Sequence, residues 1–200
     1  MTKKIIAIDI DNVLALSVEA EIKFSNERWG TSFAAHDFNE DLASMWQVTH
    51  EEAEERWVEF LSTDPMRSYG VIPTAKAALE KLKKDHVLLA VTSRRTFLRP
   101  ITQEWLDSNY PNVFKKLHMA GIFGEGKKDA HLLTKAEILE EIGAAYLIDD
   151  QLKHCEGAVS VGVEAVLFGD YSWNKHAKLP TGITRCQTWA DVLEYFNERS

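Results

Sequence analysis

The chain has 200 residues, 45% of them hydrophobic and 27% charged, with a net charge of −8. That is the composition of one globular domain, or one domain with an insertion, able to bury a core without staples. The acidic balance excludes a general binder of nucleic-acid polymers or anionic membranes, which needs a basic face, but leaves room for a small phosphorylated ligand in a local basic pocket.

Ile5-Ile6-Ala7-Ile8 predicts a strand buried on both faces, and it runs directly into Asp9-Ile10-Asp11. Residues 14–29 have helical spacing, with Leu14, Val18, Ile22 and Ser25 on one face. Residues 37–46 and 49–61 predict two more helices, the second with Thr49 and Glu52 at capping-box spacing. The acids Glu51, Glu52, Glu54 and Glu55 read as a solvated helix face. No strand pattern occurs between Ala15 and Tyr69. The expected organisation is a core of residues 1–14 and 71–200, with a helical insertion over 15–70.

Strand and helix then alternate. Pro73 marks a helix start and residues 75–84 are amphipathic. Val87 to Val91 is a second buried strand, followed by a helix over 98–110 with Pro100 in its first turn. A weak strand is expected at 116–120 and a helix at 131–142, stopped by Gly143. Further strands fall at 145–148 and 163–168, and a closing helix at 188–197. Residues 121–129 and 171–184 read as loops. The alternation predicts an α/β fold with a doubly wound, Rossmann-like parallel sheet. Cys155 and Cys186 are too few for a disulfide framework, and reduced thiols are expected. The apolar run after Lys3-Lys4 is too short for a signal peptide, and no stretch approaches the roughly 18 apolar residues of a membrane span. A cytoplasmic location is expected.

Three apolar runs deliver polar groups at their C-terminal ends: Asp9 and Asp11, then Thr92-Ser93-Arg94, then Asp149-Asp150. That edge of an open α/β sheet is where ligands bind. Alternate strand residues share a face, so Asp9 and Asp11 leave on the same side. Four converging acids repel unless a cation lies among them, and a hard divalent ion with oxygen ligands, Mg²⁺ above all, suits them. Thr92 and Ser93 can offer a hydroxyl and N–H groups to an anion. Lys135, early in its helix, can reach the same edge. Arg94 either touches phosphate or pairs with acids.

Acid pair, hydroxyl, lysine and acid pair, in that order, resemble the haloacid dehalogenase (HAD) superfamily of phosphatases. The matches are Asp9-Ile10-Asp11-Asn12-Val13, Val91-Thr92-Ser93, Lys135, and Leu147-Ile148-Asp149-Asp150. Asn12 stands where the family often has Gly, and Val13 where Thr is commoner; Lys127 and Lys128 are alternatives to Lys135. The resemblance implies a HAD-like core with a small helical cap inserted after the first strand. It implies Asp9 as the nucleophile that forms an aspartyl phosphate and Asp11 as general acid and then base. It implies Mg²⁺ held by Asp9, the Asp11 carbonyl and chiefly Asp150, with Asp149 in support. Thr92, Ser93 and Lys135 would bind the phosphoryl oxygens.

Within the superfamily, Asp9 to Ala15, Thr92 to Arg94 and Leu147 to Asp150 resemble the 5′(3′)-deoxyribonucleotidases and bacterial nucleotidase-like relatives. The expected activity is hydrolysis of a nucleoside 5′-monophosphate, with a sugar-phosphate or phosphoglycolate-type phosphatase as the alternative. A non-catalytic phosphoacceptor or binding module is the alternative of another class. Response-regulator receivers gather similar groups, but in another order and without a helical insertion. Among the aromatics of residues 15–70, Phe38 and Trp46 are the expected pocket residues, since a base can stack on such a ring.

Overall fold

In the computed structural model, residues 2–120, 133–175 and 178–199 are described. Six strands form one sheet: β1 (Ile5–Ile8), β2 (Val87–Thr92), β3 (Leu117–Met119), β4 (Tyr146–Asp149), β5 (Glu164–Phe168) and β6 (Ile183–Cys186). Their order is β3-β2-β1-β4-β5-β6, and every pairing is parallel. β1 lies centrally, with Ile8 opposite Ala90 on β2 and opposite Ile148 on β4. The strand order reverses at β1, and this register brings the carboxyl ends of β1, β2 and β4 together.

The period of two sorts the sheet into two cores. Ile6, Ile8, Leu88, Ile148 and Phe168 belong to one buried cluster, with α4 (Ala75–Leu82), α5 (Arg99–Asn109) and α8 (Trp189–Asn197). Ala7, Val91, Leu147 and Leu167 belong to the other, with α6 (Lys135–Glu141) and α7 (Leu152–Ser160).

Between β1 and α4 the chain forms α1 (Ser17–Trp29), α2 (Leu42–Trp46) and α3 (His50–Ser62), with 3₁₀ turns at Ala35–Asp37 and Pro65–Ser68. These helices have their own cluster, built on Val18, Ile22, Ala43, Met45, Trp46 and Ala53. The segments entering and leaving them pair with each other. The Leu16 N–H donates to the Gly70 carbonyl at 2.9 Å, and the Ile72 N–H to the Leu14 carbonyl at 2.8 Å.

Several expectations are corrected. Residues 37–46 are not one helix, because polar side chains there capture the backbone. Asn39 Oδ1 accepts from the Asp41 N–H, and Asp41 caps α2 by accepting from the Ser44 N–H at 3.3 Å. Pro73 precedes α4 by two residues rather than opening it. The stretch read as loop to residue 184 already contains the start of β6. This edge strand pairs on one side, and its exposed Thr184 and half-buried Arg185 interrupt any apolar run. The expected loop at 121–129, with Lys127 and Lys128, lies outside the described residues, as does the start of the helix expected at 131–142.

Candidate active site

Each acid arrives on a strand end. Asp9 extends β1, its N–H donating to the Ile148 carbonyl at 2.9 Å, while Asp149 ends β4 and Asp150 follows it. All three are buried, and one carboxylate oxygen from each lies within 4.8 Å of the others. Lys135, the first residue of α6, meets two of them. A cation at a helix N-terminus opposes the helix dipole, so it sits here only because acids face it. Its Nζ is 2.7 Å from Asp149 Oδ2 and 2.8 Å from Asp9 Oδ1.

The balance of charge is unfavourable without a further cation. Burial first, then the charges of Asp149 and Asp11, hold the Asp9 carboxyl at about 6 against the pull of Lys135. Burial, with Asp149 and Asp9 beside it, pushes Asp150 well above the usual carboxylate range. Burial disfavours the Lys135 ammonium, but Asp149 and Asp9 outweigh it and raise its pKa. Asp9 Oδ1 is buried, and its partner among the described residues is the Lys135 ammonium of the ion pair at 2.8 Å. Three buried carboxylates against one ammonium are a donor set suited to a hard divalent cation.

Asp149 is committed to the protein: Oδ2 accepts from Lys135 at 2.7 Å and Oδ1 from the Gln151 N–H at 2.9 Å. Asp11 is gripped by Arg94, whose Nε donates to Oδ2 at 2.9 Å and Nη2 to Oδ1 at 2.7 Å. Burial raises the Asp11 pKa, yet the Arg94 charge and its hydrogen bonds outweigh burial and lower it overall. Arg94 pairs with Asp11, an acid of the site rather than of the surface, and also lines the cavity.

Asn12 turns the chain between Asp11 and the insertion with φ 55°, the left-handed region that Gly and Asn tolerate best. Its Oδ1 also accepts from the Ser17 hydroxyl and the Val18 N–H, both at 3.2 Å, which tethers the start of α1. A glycine would permit the turn without that tether.

A cavity of about 400 Å³ opens over this edge, within the usual range for small-ligand sites. Asp9, Asp11, Ser93, Arg94, Lys135 and Asp150 line its floor; Glu21, Phe38, Glu54 and Trp57 line the side made by the insertion. Thr92 is fully buried and outside the wall, its hydroxyl accepting from the Arg94 N–H at 3.3 Å. Trp46 does not line the cavity, which corrects its expected pocket role. It packs in the cluster of the insertion, edge-to-face on Trp29, and its Nε1–H donates to the Ser25 hydroxyl. Phe38 does line the cavity.

Sequence reasoning missed Glu21, His154 and Trp173, while Trp57 was among the aromatics of residues 15–70 but not singled out. Glu21 lies on the helix face of Val18 and Ile22, a lone acid on an apolar stripe, which was a legible signal. His154 Nε2 is 3.5 Å from the Ser93 hydroxyl, and burial, together with Lys135, pushes its pKa down to about 3.

The parallel sheet and this edge of acids define a HAD-class hydrolase. The chain belongs to the 5′ nucleotidase, deoxy (pyrimidine), cytosolic type C protein (NT5C) family, whose model matches residues 3–198, and it is a phosphoric monoester hydrolase of the HAD superfamily. It is 25% identical over 197 residues to YqfW of Bacillus subtilis (strain 168), a protein provisionally named a nucleotidase, covering 96% of this chain and 93% of that one. Its fold is similar to that of the HAD-like hydrolase SP0104 of Streptococcus pneumoniae, with a TM-score of 0.71, 16% identity, and coverage of 97% and 98%. It is also similar to that of a predicted phosphoglycolate phosphatase from Haemophilus somnus 129pt, with a TM-score of 0.65, 18% identity, and coverage of 98% and 99%. Among the described residues, no helix is long and apolar enough to cross a membrane.

Proposed function

We propose that this chain hydrolyses nucleoside 5′-monophosphates through an aspartyl phosphate on Asp9, with Mg²⁺ as its metal. The observation that carries the chemistry is the buried Asp9 carboxylate at the cavity floor, gathered with Asp149 and Asp150 and paired with Lys135 at 2.8 Å. Asp9 attacks phosphorus and the bond to the leaving oxygen breaks. Asp11 supplies a proton to that oxygen, then takes one from the water that attacks the phosphoryl group on Asp9. Lys135 and the Ser93 N–H bind phosphoryl oxygens, and Thr92 shapes the turn that presents them. Asp9, Asp150 and the Asp11 carbonyl are the groups to hold Mg²⁺, with Asp149 in support. When bound, the ion neutralises charge on the phosphoryl oxygens. The insertion over residues 15–70 serves as the cap that closes the site and selects the substrate.

The cap side of the cavity favours a nucleoside over glycolate. Phe38 and Trp57 offer apolar ring surface for a base, while the Glu21 carboxyl offers a hydrogen bond to a neutral polar group. The test is a panel of phosphomonoesters assayed with Mg²⁺ and with chelator. The reading expects nucleoside monophosphates to be turned over fastest and chelator to abolish turnover until Mg²⁺ is restored. Equal or better turnover of sugar phosphates or phosphoglycolate overturns the nucleotidase reading. No turnover of any ester leaves a binding module.

A further inference from the structure

Trp173 stands outside every segment that points to the chemistry. It follows β5, in the turn that Asn174 secures by donating Nδ2–H to the carbonyls of Phe168 at 2.8 Å and Asp150 at 3.0 Å. From that turn the indole reaches two places at once. Its Nε1–H donates to Asp150 Oδ2 at 2.9 Å. Its ring lies flat on Tyr171, centroids 4.5 Å apart, and edge-to-face on Phe38 of the insertion at 5.1 Å. Tyr171 in turn donates its hydroxyl to the Asn12 carbonyl at 2.7 Å. Trp173 is thus a residue of the core that packs against the apolar cluster of the insertion.

The hydrogen bonds to the Asp150 side chain both fall on one oxygen. Asn12 Nδ2 also approaches Oδ2, at 3.4 Å. Both hydrogen bonds restrain the Asp150 carboxylate through Oδ2, and the same carboxylate supplies one oxygen to the cluster with Asp9 and Asp149. Partners that hold a metal-binding carboxylate in this way typically change metal affinity about 10–100-fold when removed.

We infer that Trp173 is a positioning residue for Asp150: its ring N–H sets the carboxylate for a divalent cation, and its contact with Phe38 makes that setting depend on where the insertion sits. The inference rests on reading Asp9, Asp149 and Asp150 as a cation site.

The test is calorimetric titration of Mg²⁺ into the metal-free protein, with Trp173→Phe and Trp173→His beside the wild type. The Phe variant keeps a ring against Tyr171 and Phe38 but has no donor; the His variant restores a ring N–H. The expected result is Mg²⁺ affinity at least tenfold weaker in the Phe variant, with cooperative melting kept, and partial recovery in the His variant. Phe38→Ala, which leaves Asp150 untouched, should also weaken Mg²⁺ binding. Wild-type affinity in the Phe variant overturns the role of Trp173 and leaves the cation site standing; no Mg²⁺ binding by the wild type overturns both. Should the Phe variant not fold, the wild type labelled with ¹⁵N at its indoles decides the matter. The resonance absent from the His variant must shift as Mg²⁺ binds, and an unmoved resonance overturns the inference.

Discussion

Arg94 holds Asp11 with a two-pronged ion pair, Nε to Oδ2 at 2.9 Å and Nη2 to Oδ1 at 2.7 Å, while its Nη1 reaches the Thr102 hydroxyl at 3.3 Å. The guanidinium also lies 5.5 Å above the Tyr69 ring. One end of the pair is almost wholly buried and the other a third exposed. The grip fixes Asp11 beside Asp9 and favours its ionised form, which serves the second step, where it takes a proton from water; the first step draws on the protonated form, reached as the ion pair loosens.

Lysine keeps the charge at position 94 but not the planar fork. Arg94→Lys should lower kcat on an aryl phosphate by about tenfold or more, since a displaced acid–base group loses most of its contribution of roughly 10²–10⁴. Arg94→Ala should in addition destabilise the fold by about 1–3 kcal/mol, less than for a fully buried pair because Asp11 retains some solvent. Steady-state kinetics and urea denaturation measure both; a lysine variant with wild-type kcat would show that the fork is dispensable.

Asn12 combines a left-handed backbone with a side chain that tethers α1. The stability order should be wild type, then Asn12→Gly, then Asn12→Ala. Glycine loses only the side-chain bonds, while alanine also meets a backbone penalty of roughly 1–2 kcal/mol. Urea midpoints of the three proteins check this, and an alanine variant more stable than the glycine one would refute the account of the turn.

Glu21 faces the cavity without a hydrogen bond or ion pair among the described residues. Burial first and the Asp11 charge second hold its carboxyl up at about 8, against Arg94, where the free group has 4.5. Between those values the folded state keeps a proton that the unfolded state has released, so stability falls as pH rises through this window. Glu21→Gln should remove that share of the slope in the metal-free protein and gain on the wild type from pH 5 to pH 8. Parallel stability curves for the two proteins would rule the carboxyl out as the source.

The sheet was legible because a strand covered on both faces is a continuous apolar run, and here three such runs end in Asp9, Thr92 and Asp149. Lys135 was legible through its place in that order rather than through its own position. β6 was not, since an edge strand need bury only part of its length and carries Thr184 and Arg185 between Ile183 and Cys186. The side of the cavity made by residues 15–70 was legible in composition but not in orientation. Aromatics were expected there, yet whether Phe38 or Trp46 faces the ligand depends on how α1, α2 and α3 pack, which no local pattern encodes. His154 and Trp173 were unmarked for a related reason: their partners, Ser93 and Asp150, belong to other turns brought alongside by strand order.

The central claim is that Asp9 takes the phosphoryl group. Rapid-quench of the wild-type enzyme with a ³²P-labelled nucleoside monophosphate tests it most directly. The account predicts transient labelling of the protein at Asp9, labile to hydroxylamine as an acyl phosphate is, with neither label nor turnover in Asp9→Asn. Turnover by Asp9→Asn, or label on another residue, would contradict it.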